Sequence, residues 1–230
     1  MKDGCRVKIC GITSLEDAGL AAGVGADYIG VVIEVAFSPR SMGINEASPL
    51  FMSAPLPAVA LVHQMEPERL EELLLKLRPR AVQFLSPEGP ELAVRLKNLK
   101  PGLQIWQSLF LPAGGEVVAG FDFETLALKT TRCQEAGVDV VLFDTAAIAS
   151  GKFGGTGLTG DWDLAGRLVR EATLPAFLAG GINPGNIRKA VEAVRPFGID
   201  LCSGVEEYPG KKSLARLKAL MEALRDADGL

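Results

Sequence analysis

The stretch AVALVHQMEPERLEELLLKLRPRAVQFLS, residues 58–86, decides how the rest of the chain is read. Its first seven residues form a short branched-apolar run of strand length. Pro67 then opens PERLEELLLKLR, in which Leu70, Leu73, Leu74 and Leu77 share one face at helical spacing. A second apolar run, AVQFLS (81–86), follows at once. An amphipathic helix between two wholly apolar strands is a parallel βαβ unit, because such a sheet needs helices to cover it.

The same alternation extends in both directions. Strand runs are read at RVKICGI (6–12), YIGVVIEV (28–35), AVALVHQ (58–64), AVQFLS (81–86), LQIWQSLFL (103–111), VDVVLFDT (138–145), PAFLAGG (175–181) and GIDLCSG (198–204). Eight parallel strands separated by helices close a barrel. The expected fold is therefore α/β, a single (β/α)8 TIM barrel forming one domain over residues 1–230. A composition that is 48% hydrophobic but only 6% aromatic fits an interior built from Val, Ile, Leu and Ala. Ser14 followed by Glu16 and Asp17 predicts a capped, acidic helix start, and Asn183-Pro184 predicts another. The Gly-rich segment 111–124 is expected to be irregular.

Charge and cysteine usage narrow the class of partner. With a net charge of −4 and no dense Lys/Arg run, no nucleic-acid partner is expected. No apolar run approaches the ~20 residues of a membrane span, so no membrane is expected either. Four cysteines, no CxxC and a lone histidine, His63, argue against a zinc site. The absence of a secretory segment predicts a cytoplasmic protein. A homodimer is left open.

In such a barrel the reactive residues lie where the strands end. LAGGINPGN and CSGVEEYPGKK each place a small-residue turn before a helix, where free N–H groups favour an anion. Gly180, Gly181, Ser203 and Gly204 are the candidate phosphate ligands, although glycines there could equally serve only tight turns. Asp144 ends the apolar run VVLFD and is either a turn-capping carboxylate or a general acid raised by its surroundings. Cys10 ends VKIC and is either a buried small hydrophobe or a thiolate base. Arg40, in FSPRSM, is either a carboxylate clamp or a solvated loop charge. FGGTGLTGDW (153–162) lacks the Gly-Lys-Ser/Thr ending of a phosphate-binding P-loop and reads as a lid or a long loop.

Taken together, RVKICGITSLEDA, SPRSM, VQF, FDTAAIASGKFGGTG with a following DW, LAGGINPGNI and IDLCSGVEEYPGKK resemble phosphoribosylanthranilate isomerase of tryptophan biosynthesis. The likeness runs in register over about residues 6–225. It implies an Amadori rearrangement of a phosphorylated small-molecule substrate without a cofactor or metal. By the same resemblance Cys10 is the general base and Asp144 the general acid. Arg40 would hold the anthranilate carboxylate, Gln83 and Asp200 would line the substrate, and the four small residues would hold the 5′-phosphate. The chain departs from the family pattern at Leu85, a usual histidine; at Gly160, a usual aromatic; and at Cys202, a usual serine. These departures keep a second reading open, a phosphosugar-binding barrel that has lost or changed its reaction. A cysteine redox protein is disfavoured, because Cys5, the cysteine nearest Cys10 in sequence, belongs at the opposite barrel end.

Overall fold

The structure, a computed structural model, describes residues 4–114, 116, 118–147, 152–153 and 159–228. Eight strands run β1 (Arg6–Ile9), β2 (Tyr28–Ile33), β3 (Ala58–Val62), β4 (Ala81–Phe84), β5 (Gln104–Pro112), β6 (Val140–Ala147), β7 (Ala176–Leu178) and β8 (Gly198–Leu201). Each pairs in parallel with the next, and β1 pairs with both β2 and β8, so the sheet closes. Helices α1 (Leu15–Gly23), α2 (Ile44–Ser53), α3 (Pro67–Leu77), α4 (Gly89–Leu99), α5 (Phe123–Glu135), α6 (Trp162–Glu171), α7 (Ile187–Val194) and α8 (Leu214–Asp228) follow the strands in turn. The expected (β/α)8 barrel is present, with every strand inside or overlapping its sequence run.

Local chemistry explains the helices. Ser14 caps α1 by accepting from the Asp17 N–H, as its spacing predicts. Leu70, Leu73, Leu74 and Leu77 of α3 are all buried against the outer face of the sheet. The start of α7 is a correction. Asn183 and Asn186 tie down a turn, with Asn186 Oδ1 accepting from the Asn183 N–H at 2.8 Å and Asn183 Oδ1 from the Gly185 N–H at 2.9 Å. The helix therefore begins at Ile187, because side-chain bonds hold the intervening backbone in a turn. The segment expected to be irregular gives its first two residues to β5 and its last two to α5; the described residues between them are turns, bends and loop, with Ala113 bridged to Gly160.

Strand alternation separates two cores. Outward side chains meet the helices. Inward ones form a separate cluster of Cys10, Val32, Val35, Val59, Leu61, Ala81, Trp106, Val140, Leu142, Phe177 and Ala179. Aromatic rings plug its lower part, with Trp106 5.3 Å from Tyr28 and 5.0 Å from Phe177 between centroids. Gly198 is needed there, since a Cβ would strike the Phe177 ring. Above the plug the inward positions turn polar: Lys8, Gln83, Ser108, Asp144 and Asp200. A polar layer over an apolar plug costs free energy unless its members pair, which marks the C-terminal mouth as the site.

Candidate active site

Lys8 and Cys10 both point inward from β1, as the alternation requires. Lys8 is fully buried, and its Nζ lies 2.9 Å from Asp200 Oδ2 on β8. Gly30 makes room for both β1 side chains: a Cβ there would lie 2.9 Å from Cys10 Sγ and 3.0 Å from Lys8 Nζ. Burial alone would lower the Lys8 pKa, but Asp200 and Cys10 outweigh it and raise it, so the ammonium persists. The Cys10 thiol is drawn down from 9.0 to about 7, first by a hydrogen bond with Cys202. Lys8 and Lys212 assist, against burial and the Asp200 charge. Lys8→Met would leave the Asp200 carboxylate buried without its partner. The expected result is a loss of about 3–5 kcal/mol in urea unfolding, together with slower alkylation of Cys10 at pH 7. An unchanged unfolding midpoint and alkylation rate would remove Lys8 from this account.

Asp144 faces Cys10 from β6, three strands round the barrel in the direction β1, β8, β7, β6. Its Oδ1 accepts from the Thr145 N–H at 2.8 Å. Burial, with the Asp200 and Cys10 charges adding to it, pushes its pKa from 3.8 to about 7 against the Thr145 bond and Lys8. Near neutral pH the site can thus hold a protonated carboxyl opposite a thiolate. Ordinary values would set the two ionisations far apart, with the carboxyl ionised long before the thiol.

Arg40 is not a solvated loop charge. Its guanidinium is buried and grips Glu206 with two bonds, Nε to Oε1 at 2.8 Å and Nη2 to Oε2 at 2.5 Å. Lys212 Nζ reaches the same Oε1 at 2.7 Å. Burial would raise the Glu206 pKa, but the two cations outweigh it and lower it. A Cβ on Gly11 would strike Arg40 Cδ, so this side chain lies against the residue after Cys10. One edge of its fork is committed to Glu206.

Next to this pair, the turns after β7 and β8 touch. Gly180 and Gly181 take φ of +90° and +63°, which favours glycine. A Cβ at Gly180 would collide with Thr145, and one at Gly204 with the Ile182 carbonyl. These glycines thus serve packing, and they also bring backbone close to the mouth. The N–H groups of Gly180, Gly181, Ser203 and Gly204 donate to no backbone or side-chain partner among the described residues. Ser203 opens a 3-10 turn, Ser203–Val205, with no side-chain cap.

All nine sequence-nominated residues therefore meet at one mouth. Gln83 Nε2 donates to Ser108 Oγ at 3.0 Å, leaving its buried Oε1 without a partner, and Asp200 Oδ1 is likewise unpartnered. Gln107, which the sequence run placed near a strand end, lies inside β5, points outward and ties down the turn before α4. The GGTG segment, Gly154–Gly157, lies outside the described residues. Gly160, at its far side, sits where a Cβ would come within 2.6 Å of Thr145 Oγ1, so a larger residue would need Thr145 to move. Sequence reasoning missed Glu206 and Lys212 as the support of Arg40. It also missed Cys202 as the neighbour of Cys10.

Residues 7–223 match the family of N-(5′-phosphoribosyl)anthranilate (PRA) isomerase. The chain belongs to the PRA isomerase family. It is 37% identical to the N-(5′-phosphoribosyl)anthranilate isomerase of Methanocella arvoryzae, covering 96% of this chain and 98% of that one. Generated monomers of the dimeric phosphoribosylanthranilate isomerase from Thermotoga maritima have the same fold, with a TM-score of 0.75, 29% identity and 98% and 100% coverage. A phosphoribosylanthranilate isomerase solved with reduced 1-(o-carboxyphenylamino)-1-deoxyribulose 5-phosphate superposes with a TM-score of 0.76, at 28% identity and the same coverage. The PRA isomerase family is thus reached from nearly the full length of the chain.

Proposed function

We propose that this chain converts N-(5′-phosphoribosyl)anthranilate to 1-(o-carboxyphenylamino)-1-deoxyribulose 5-phosphate, in tryptophan biosynthesis, with Asp144 as acid and Cys10 as base. The observation that carries this reading is the pair of ionisations facing each other across the mouth, a thiol drawn down and a carboxyl pushed up, both to about 7. Asp144 gives its proton to the ribose ring oxygen. The C1′–O4′ bond breaks as the anilino nitrogen lone pair forms a C1′=N iminium. That cation acidifies C2′, and the Cys10 thiolate takes the C2′ proton to give an enolamine. A proton gained at C1′ and one lost from the C2′ hydroxyl complete the ketone. Cys10 then holds the C2′ proton while Asp144 is one proton short, and transfer of a proton from Cys10 to Asp144 resets the site.

Binding follows the remaining geometry. The unpartnered Gln83 Oε1 and Asp200 Oδ1 are acceptors suited to ribose hydroxyls. Arg40, braced by Glu206, offers its other edge to the anthranilate carboxylate. The free N–H groups of Gly180, Gly181, Ser203 and Gly204, with the Ser203 hydroxyl, cradle the 5′-phosphate. The four free thiols favour a reducing, cytoplasmic location. The dimeric Thermotoga maritima relative supports a homodimer for this chain too.

The test is turnover by the purified protein, backed by growth of a tryptophan auxotroph lacking this isomerase. Tight binding of the reduced product without turnover would instead make the chain a phosphosugar-binding barrel. Inorganic phosphate should compete with substrate, and a product-soaked crystal should place its phosphate on the turns at 180–181 and 203–204. A phosphate seated instead at Gly154–Gly157 would refute that assignment.

A further inference from the structure

Cys202, a departure from the pattern that the sequence resemblance implies, has surroundings that give it a role. The register of β1 on β8 pairs Lys8 with Asp200 and Ile9 with Leu201, so Cys10 and Cys202 are the next pair. The Cys10 N–H bonds the Leu201 carbonyl at 2.7 Å, which carries the pairing up to the mouth. Cys202 packs on the same inward cluster as Cys10. Its Sγ leans over the chain there, 2.9 Å from the position of a Cβ on Gly11. Only a glycine at 11 leaves this space open.

From that juxtaposition we infer that Cys202 is a positioning residue, whose S–H donates to the Cys10 sulfur and holds it as a thiolate aimed into the mouth. Cys202 Sγ also donates to Glu206 Oε1, over a long 3.9 Å. That oxygen already accepts from Arg40 Nε at 2.8 Å, Lys212 Nζ at 2.7 Å and the Gly210 N–H at 3.3 Å, so turning the hydrogen to Cys10 leaves it satisfied. Which sulfur carries the charge follows from the neighbours. Lys8 faces Cys10 directly, whereas at Cys202 the bond to Cys10, burial and the Cys10 charge outweigh the Lys212 and Arg40 charges and disfavour a second anion. The groups acting on Cys10 are Cys202, Lys8 and Lys212, which favour its thiolate, and Asp200, which opposes it. Arg40 adds a favourable charge, and an ionised Asp144 an opposing one. The lowered Cys10 ionisation and the raised Cys202 ionisation agree with that direction. A serine hydroxyl could make the same donation, so the inference concerns the hydrogen rather than the sulfur.

This inference rests on Cys10 as the base, yet its test needs no turnover. Alkylation of Cys10 by iodoacetamide is followed across pH by mass spectrometry of its peptide, under reductant removed just before each reaction. Parent, Cys202→Ser and Cys202→Ala proteins are compared, with circular dichroism confirming that each is folded. The parent midpoint is expected near 7. In Cys202→Ala it should rise by about one pH unit, making alkylation at pH 6 about tenfold slower, because a hydrogen bond to a charged group is lost. Cys202→Ser should restore the parent midpoint. An unmoved midpoint in Cys202→Ala overturns the inference, as does an equal rise in both variants. Failure of the base assignment would show separately, as turnover surviving in Cys10→Ser.

Discussion

Asp144→Asn should reduce turnover by about 10²–10⁴-fold while leaving binding of the reduced product intact. Asparagine is isosteric and its Oδ1 can keep the Thr145 N–H bond, so the lost element is the proton itself. The same substitution should change stability in a way that reports the ionisation. Asp144 titrates near 7 in the folded protein and near 3.8 when unexposed to these neighbours, so the folded state binds more protons between those values. Parent stability therefore falls as pH rises from about 4 to about 7, and the deficit persists above. Asparagine stands for the neutral acid at every pH. The variant should melt at the parent temperature near pH 4 and above it at pH 8. A flat difference would show that the carboxyl is not raised, and near-parent turnover would remove Asp144 as the acid.

The strands were legible because each is a buried apolar run, and the helices because their leucines repeat at helical spacing. The nominated site was legible for a related reason: Cys10, Gln83 and Asp144 are polar intrusions at inward positions of apolar strands, where an unpaired group is costly. Lys8 could be read in the same way, since alternation alone puts it on the face of Cys10. What stayed hidden depends on contacts between distant parts of the chain. Arg40 and Glu206 are 166 residues apart, and nothing local to FSPRSM shows that its arginine is buried. Cys202 lies 192 positions from Cys10, whereas Cys5, the cysteine nearest in sequence, lies beside Pro196 at the foot of the barrel, the end expected for it. Only the closure of β8 on β1 brings the two thiols together. The early start expected for α7 failed locally: Asn183 is a good helix cap, but with Asn186 it makes a self-contained turn.

Cys10→Ser should cost at least about two orders of magnitude in rate, since a serine hydroxyl is a far weaker base than a thiolate at pH 7. Affinity for the reduced product should barely change, because the phosphate and carboxylate contacts lie on other strands. The pH profile gives the sharper test. In the parent, kcat/KM should climb as Cys10 loses its proton near 7 and fall as Asp144 loses its own near 7, a narrow bell about neutrality. Bound substrate brings a phosphate and a carboxylate, whose negative charge opposes the thiolate, so the acid limb of kcat should lie above that of kcat/KM. Lys8 limits this displacement, being buried against the same sulfur. In Cys10→Ser the acid limb should vanish, because no thiol remains to ionise, while the alkaline limb of Asp144 survives in the residual rate. A variant that kept both limbs and nearly the parent rate would make Cys10 a packing residue, and the base would have to be sought elsewhere in the mouth.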